Sequence, residues 1–70
     1  MTPAEAEQVQ KYLRKTFKMN AIEVRKRNKK DDSLEVYVED EFVGVIYKDD
    51  EDGEVTYQFQ MAILALDLDS

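Results

Sequence analysis

The stretch L-E-V-Y-V-E-D-E-F-V-G-V-I-Y-K, residues 34–48, decides the fold of this 70-residue chain. Leu34, Val36 and Val38 alternate with Glu35, Tyr37 and Glu39, which is the two-residue period of a β-strand. Residues 39–41 form a short acidic turn. Residues 42–48 then form a strand that is apolar on both faces, as expected for a central strand. The stretch therefore predicts two consecutive strands of one sheet.

The flanking segments extend this pattern in both directions. Ile22 and Val24 alternate with charged residues, which predicts a first strand over about residues 21–27, and a polar connection follows over 28–33. Asp52-Gly53 is a strong hairpin signal after the third strand. Alternation then resumes at Val55 and runs through Ile63, which predicts a long fourth strand that continues, with a kink near Leu64, to Leu68.

Residues 2–18 show the period of an amphipathic helix. Thr2 and Glu5 have the spacing of a capping box, Pro3 suits the first helical position, and Met19-Asn20 is a plausible exit. The apolar stripe of this helix is Ala6, Val9, Leu13 and Phe17. The sheet face predicted to lie beneath it is Ile22, Val24, Leu34, Val36, Val38, Tyr57, Phe59 and Met61.

These elements predict a single α+β domain over residues 1–70, with an N-terminal helix packed on a four-stranded antiparallel β-meander. One face of such a sheet needs a cover, and the helix has one matching stripe. The order is α-β-β-β-β. The alternative, α-β-β-β-α, makes residues 61–66 a second helix, but alternation through Ile63 and the poor helix sequence Leu-Asp-Leu-Asp favour the strand.

Composition argues against most chemistry. The chain has no His and no Cys, so the usual general base, the thiol nucleophile and zinc sites are excluded. Its two glycines are too few for a phosphate-binding loop. We expect a protein that is not an enzyme, has no cofactor and is cytoplasmic. Membrane association is not expected, because the polar N-terminus does not resemble a signal peptide and no apolar run approaches a membrane span.

Several phrases resemble a known family. They are T-P-A-E-A at 2–6, I-E-V-R at 22–25, K-D-D-S at 30–33, E-V-Y-V at 35–38, D-E-F-V-G-V-I-Y at 40–47 and Y-Q-F-Q-M-A-I-L at 57–64. Together they resemble short uncharacterised alphaproteobacterial proteins grouped as domain of unknown function 3126. The resemblance covers nearly the whole chain and implies a stand-alone bacterial cytoplasmic protein. It implies no activity and no functional residue.

The doubly apolar third strand suggests a binding surface. Alternation puts Phe42 and Ile46 on one of its faces and Val43, Val45 and Tyr47 on the other. Only one of these faces can meet the helix, and the other joins Tyr37 or its neighbours on the open face of the sheet. Such a patch, if uncovered, usually marks an interaction site. Gly44 would allow another backbone to approach closely. The candidate partner-binding residues are Tyr37, Phe42, Gly44 and Ile46. The alternative is that the twisted sheet or residues 64–68 cover this patch.

Charge is divided unevenly along the chain. Residues 1–30 carry nine Lys or Arg and three acids, whereas residues 31–70 carry one Lys and thirteen acids. The candidate polyanion-binding residues are Lys11, Arg14, Lys15, Lys18, Arg25, Arg27, Lys29 and Lys30. No aromatic residue lies between Phe17 and Tyr37 to provide a stacking surface, so a solubilising face is the simpler interpretation.

The acidic turn at residues 49–54 is the remaining candidate. Asp50 and Asp52 could bind a hard cation weakly. The EF-hand pattern fails here, because aligning Gly53 with loop position six puts Lys48 and Phe59 at two essential ligand positions. A solvated hairpin tip explains the run of charges without a ligand.

We therefore expect a protein-interaction module or small regulator that self-associates or binds another protein. The opposite charges of its two halves favour a complementary surface, including a second copy of the chain. The alternative is a nucleic-acid-associated protein that uses the basic helix and first strand.

Overall fold

The computed structural model describes residues 1–27, 32–51 and 53–69. Its elements are α1 (Pro3–Phe17), β1 (Ile22–Lys26), β2 (Ser33–Val38), β3 (Glu41–Asp49), β4 (Thr56–Gln60) and α2 (Ala65–Leu68). The four strands form one sheet in the order β1-β2-β3-β4, and each neighbouring pair is antiparallel. The predicted α+β fold, an N-terminal helix on a four-stranded meander, is confirmed.

Helix α1 begins with the predicted capping box. The Thr2 hydroxyl accepts a hydrogen bond from the Glu5 backbone N–H at 3.1 Å, and Glu5 Oε1 accepts one from the Thr2 N–H at 3.1 Å. At the other end Lys18 takes the left-handed conformation, with φ of 53°, so the helix ends earlier than the expected exit at Met19-Asn20. The Met19 N–H donates to the Arg14 carbonyl at 3.0 Å and closes the last turn.

The core lies between α1 and the first three strands. Its buried apolar side chains are Leu13, Ile22, Leu34, Val36 and Ile46. The side of the sheet that carries them is called the helix face below, and the other side is called the open face. Helix α1 packs mainly on β1, whereas β4 has no buried residue. The core is therefore displaced toward one side of the sheet.

Strand β3 contains one extra residue, Val43, opposite β2. Val36 pairs with Gly44, and the next residue, Tyr37, pairs with Phe42. Such a bulge interrupts the alternation of side chains between the two faces. Phe42 consequently lies on the open face, while Val43 packs against the core.

The C-terminal segment differs from both expectations. Strand β4 ends at Gln60, residues 61–64 have no regular structure, and the short α2 follows. The expected strand through Ile63 to Leu68 is too long, because the β3–β4 ladder ends at the Val45–Gln60 pair, next to the bulge. The alternative helix over 61–66 is also wrong, since α2 begins later and follows a fourth strand instead of replacing it.

Candidate functional site

Tyr37 and Phe42 form a cluster on the open face. Their rings meet edge to face, with centroids 5.7 Å apart, and Phe42 is 51% exposed. The Arg25 guanidinium lies 4.0 Å from the centre of the Tyr37 ring and donates to Asp40 at 2.7 Å. The Tyr37 hydroxyl donates to Glu35 at 3.0 Å, and this bond raises the pKa of Tyr37. The cluster is thus held by contacts within the chain.

Gly44 and Ile46 do not join that cluster. The expectation that Phe42 and Ile46 share a face is wrong, because the extra residue Val43 separates them. Ile46 is 1% exposed and belongs to the core. Gly44 does permit another segment to approach its backbone closely, but that segment is β4 of the same chain. A Cβ atom at position 44 would lie 2.5 Å from the Gln60 carbonyl oxygen and 2.5 Å from Phe59 Cε1. Gly44 therefore sets the position of Phe59.

The candidate polyanion-binding residues are divided among several surfaces. Lys11, Lys15 and Lys18 are exposed on or just after α1. Arg14 Nε donates to the Ile22 carbonyl at 2.7 Å and joins the helix to β1. Arg25 and Arg27 lie on the open face, across the sheet from the helix.

These two arginines contact groups of the protein itself. Arg25 donates to Glu23 as well as to Asp40, and the bond from Arg25 lowers the pKa of Glu23. Arg27 donates to the Ser33 hydroxyl at 3.3 Å. Lys29 and Lys30 lie outside the described residues. The predicted set therefore forms no single basic face among the residues that the structure describes.

The acidic hairpin shows no metal-binding arrangement within its described part. Asp50 is exposed, and Asp52 lies outside the described residues. The Asp49 carboxylate accepts the Glu51 backbone N–H at 3.1 Å, as in an ordinary turn. Residues 1–27, 32–51 and 53–69 contain no group of three or more carboxylates placed to hold an ion.

An apolar groove runs between α1 and β4 on the helix face. Its volume is about 590 Å³. The apolar residues that line it are Val9, Tyr12, Leu13 and Phe17 from the helix and Ile46, Tyr57 and Phe59 from the sheet. Tyr12 is 66% exposed and Phe59 is 38% exposed, although Phe59 alternates with polar residues as a buried position would. The groove exists because α1 packs mainly on β1 and does not lie over β4.

Three polar side chains fix one end of this groove. Glu5 Oε2 accepts a hydrogen bond from the Tyr57 hydroxyl at 2.8 Å and pairs with Lys48 Nζ at 2.8 Å. The contact with Lys48, followed by those with Thr2 and Tyr57, lowers the pKa of Glu5 to about 2. The first turn of α1 is thereby tied to both β3 and β4 at this end of the groove.

Residues 61–69 form an exposed apolar segment, which we call the arm. Its large side chains are all more than half exposed: Met61, Ile63, Leu64, Leu66 and Leu68. Met61 borders a smaller apolar cavity that shares Phe17 and Phe59 with the groove. The groove and the arm both expose apolar side chains around β4, and we call this part of the molecule the uncovered half.

The overall dimensions agree with an uncovered half. A compact chain of 70 residues has a radius of gyration of about 11 Å, whereas this chain has 13.0 Å. A compact monomer of 8.2 kDa exposes about 4,500 Å², whereas this chain exposes 5,750 Å². The excess is on the order of 1,200 Å².

The sequence pattern predicts other roles for most of these residues. It predicts that Phe17, Tyr57, Phe59 and Met61 lie in the core and that residues 64–68 extend a strand or cover the open face. The available signal was the number of apolar residues after Gln60, which exceeds what a strand at the end of such a small sheet can bury.

Comparison with known protein families gives a match over most of the chain. A family model described as "Protein of unknown function (DUF3126)" matches residues 5–67, which confirms the resemblance drawn from the sequence phrases. No curated protein and no solved structure matches the chain. No helix among the described residues is both long and apolar enough to cross a membrane.

Proposed function

The chain belongs to the DUF3126 family, whose description names no activity, and we propose that this protein is a protein-interaction module that acts through its uncovered apolar half. The proposal includes a cytoplasmic location and a role without catalysis or cofactor, as the composition led us to expect. In this role the chain binds another protein during assembly or regulation, and it catalyses no reaction.

The excess of exposed surface is the observation that supports this proposal. A stable protein–protein interface buries about 800 Å² on each partner, and this chain exposes on the order of 1,200 Å² more than a compact monomer of its mass. Much of the surface around the groove and the arm is apolar. Contiguous apolar patches of this kind on a protein in water mark interaction sites.

Nucleic-acid binding has less support. Arg14, Arg25 and Arg27 contact carbonyl, hydroxyl or carboxylate oxygens of the protein itself. The exposed lysines of α1 and the arginines of the open face point to opposite sides of the molecule. Of the candidate polyanion-binding residues that the structure describes, the exposed lysines on the helix side are Lys11, Lys15 and Lys18.

Affinity capture from bacterial extract with matched variants tests the proposal. The tagged chain is compared with Tyr12→Ser, which alters the groove, and Tyr47→Ser, which makes the same change on the open face. After nuclease treatment we expect a stoichiometric protein, either another protein or an untagged copy, with the wild type and with Tyr47→Ser but not with Tyr12→Ser. Recovery of nuclease-sensitive nucleic acid alone, or of nothing stoichiometric, would contradict the proposal.

A further inference from the structure

We propose that the groove of one copy binds the arm of a second copy, so that two chains exchange their C-terminal segments. This inference rests on the proposed interaction function and names its partner. In such a dimer each chain supplies one arm and one groove, and the same contact occurs twice across a two-fold axis. The dimer thus covers both apolar features of each chain.

The dimensions of the arm fit the groove. Residues 61–64 span about 13 Å when fully extended, and the single turn of α2 adds about 6 Å. The helical wall of the groove from Val9 to Phe17 is about 12 Å long. An arm of about 19 Å therefore spans the full groove and can place several leucines in it.

The direction of the arm favours a second copy over its own groove. The arm leaves the sheet at Gln60, and a return along β4 would require the chain to reverse within the next few residues. Residues 61–64 are Met-Ala-Ile-Leu, which include none of the Gly, Pro, Asn, Asp or Ser residues that form tight turns. In the structure Ile63 and Leu64 remain exposed, at 65% and 60%, instead of folding back.

Charge also favours this pairing. The arm carries Asp67 and Asp69 near its end. Beside the groove, the exposed Lys15 lies one turn after Tyr12 on the surface of α1, and the exposed Lys11 lies one turn before Lys15. An arm in the groove of a second copy brings these acids toward these lysines, which joins the acidic half of one chain to the basic half of the other. Opposite charges of this kind determine which surface of the second copy is bound more than they determine how tightly it is bound.

The oligomeric state of Leu66 variants tests the inference first. Leu66 is 79% exposed, so replacing it leaves the folded monomer intact. We expect the wild type and the apolar control Leu66→Met to form dimers in light scattering at micromolar concentration. Leu66→Asp should raise the dimer dissociation constant about 100-fold, because each of two copies loses the burial of one leucine. Dimerisation that Leu66→Asp leaves unchanged would overturn the inference.

Cross-linking between different copies tests the contact itself. The chain has no cysteine, so Tyr12→Cys and Leu66→Cys each introduce a single thiol. After the two variants are mixed, a short bis-maleimide should join position 12 of one copy to position 66 of the other. Tyr47→Cys mixed with Leu66→Cys is the control and should give no product. A dominant 66–66 product would overturn the inference, because it would mean that arms contact arms.

The two proposals fail in different ways. A wild type that stays monomeric but captures another protein through Tyr12 would overturn arm exchange and leave the interaction module standing. A double variant with both cysteines that cross-links only within one chain would mean that the arm fills its own groove, and would also overturn arm exchange. A monomer that captures no protein would overturn both proposals.

Discussion

The sheet has two halves with the same alternating sequence pattern but very different burial. Under α1, Leu34 and Val36 are 0% and 1% exposed. On β4, Tyr57 and Phe59 occupy equivalent positions on the helix face, yet neither is buried. Alternation therefore reports which face a side chain occupies. It does not report whether anything covers that face.

The width of a helix explains this difference. A helix with its side chains is about 10–12 Å across, whereas four strands about 4.8 Å apart span about 14 Å between the outer strand axes alone. One helix on this sheet covers two to three strands. Here it covers the N-terminal side, because the short connection from α1 to β1 holds it there and Arg14 binds the Ile22 carbonyl.

The largest expected effect is a loss of stability, which should differ between the buried core and the exposed arm. Leu34→Ala should lower the free energy of unfolding by about 2–5 kcal/mol, because Leu34 is fully buried. Leu66→Ala makes the same chemical change in the arm and should alter the stability of the dilute monomer by less than about 0.5 kcal/mol. Urea unfolding followed by circular dichroism measures both. Equal losses would mean that the arm is packed in the monomer.

A substitution at Gly44 tests the close approach of β4 to β3, where the covered and uncovered halves of the sheet meet. Gly44→Ala should cost about 1–3 kcal/mol, because the new Cβ would crowd Phe59 and the β4 backbone. Gly53→Asn is the matched control. A Cβ at position 53 meets no atom within 4 Å, and Asn tolerates the positive φ of this turn. Gly44→Ala should therefore show a clearly lower urea midpoint than Gly53→Asn, and similar midpoints would contradict the close approach.

A smaller effect concerns pH and the contact that ties α1 to the sheet. The pKa of Glu5 is lowered to about 2 in the folded protein, so its contribution to stability is complete above its ordinary pKa and is lost as pH falls toward 2. Glu5→Gln removes this contribution. We expect the variant to melt below the wild type at neutral pH, and the difference between the two to shrink as pH falls from about 5 to 2.

The comparison with Glu5→Gln isolates one carboxylate, because the other acids titrate in both proteins. Thermal melts across the acidic range provide the measurement. A difference in melting temperature that stays constant with pH would mean that the Lys48 and Tyr57 contacts do not stabilise the ionised form of Glu5.

The smallest expected effect concerns the charges beside the groove. Lys15→Gln should weaken the dimer by a few-fold at low salt, because exposed ion pairs contribute only about 0–1 kcal/mol each. Salt should remove most of this difference by screening. Lys26→Gln, an equal change on β1, should leave dimerisation unaffected. Sedimentation velocity at two salt concentrations makes the comparison, and equal effects of the two substitutions would argue against a role for Lys15.

The sequence predicted the order of the first five elements, α1 to β4, and most of their boundaries, because capping residues, a hairpin signal and clear periods marked them. It did not predict the bulge at Val43, so it placed Phe42 and Ile46 on one face. It also did not predict the groove. The burial of Phe59 depends on how far α1 reaches across the sheet, which no local pattern encodes.

Nuclear magnetic resonance during dilution tests the central claim, that the uncovered half is where two copies meet. Amide spectra recorded from high to low concentration should shift at Tyr12, Phe17, Phe59 and Leu66, while Glu35 and Val45 on the open face should stay fixed. Concentration-dependent shifts confined to the open face, or none at any concentration, would contradict the account.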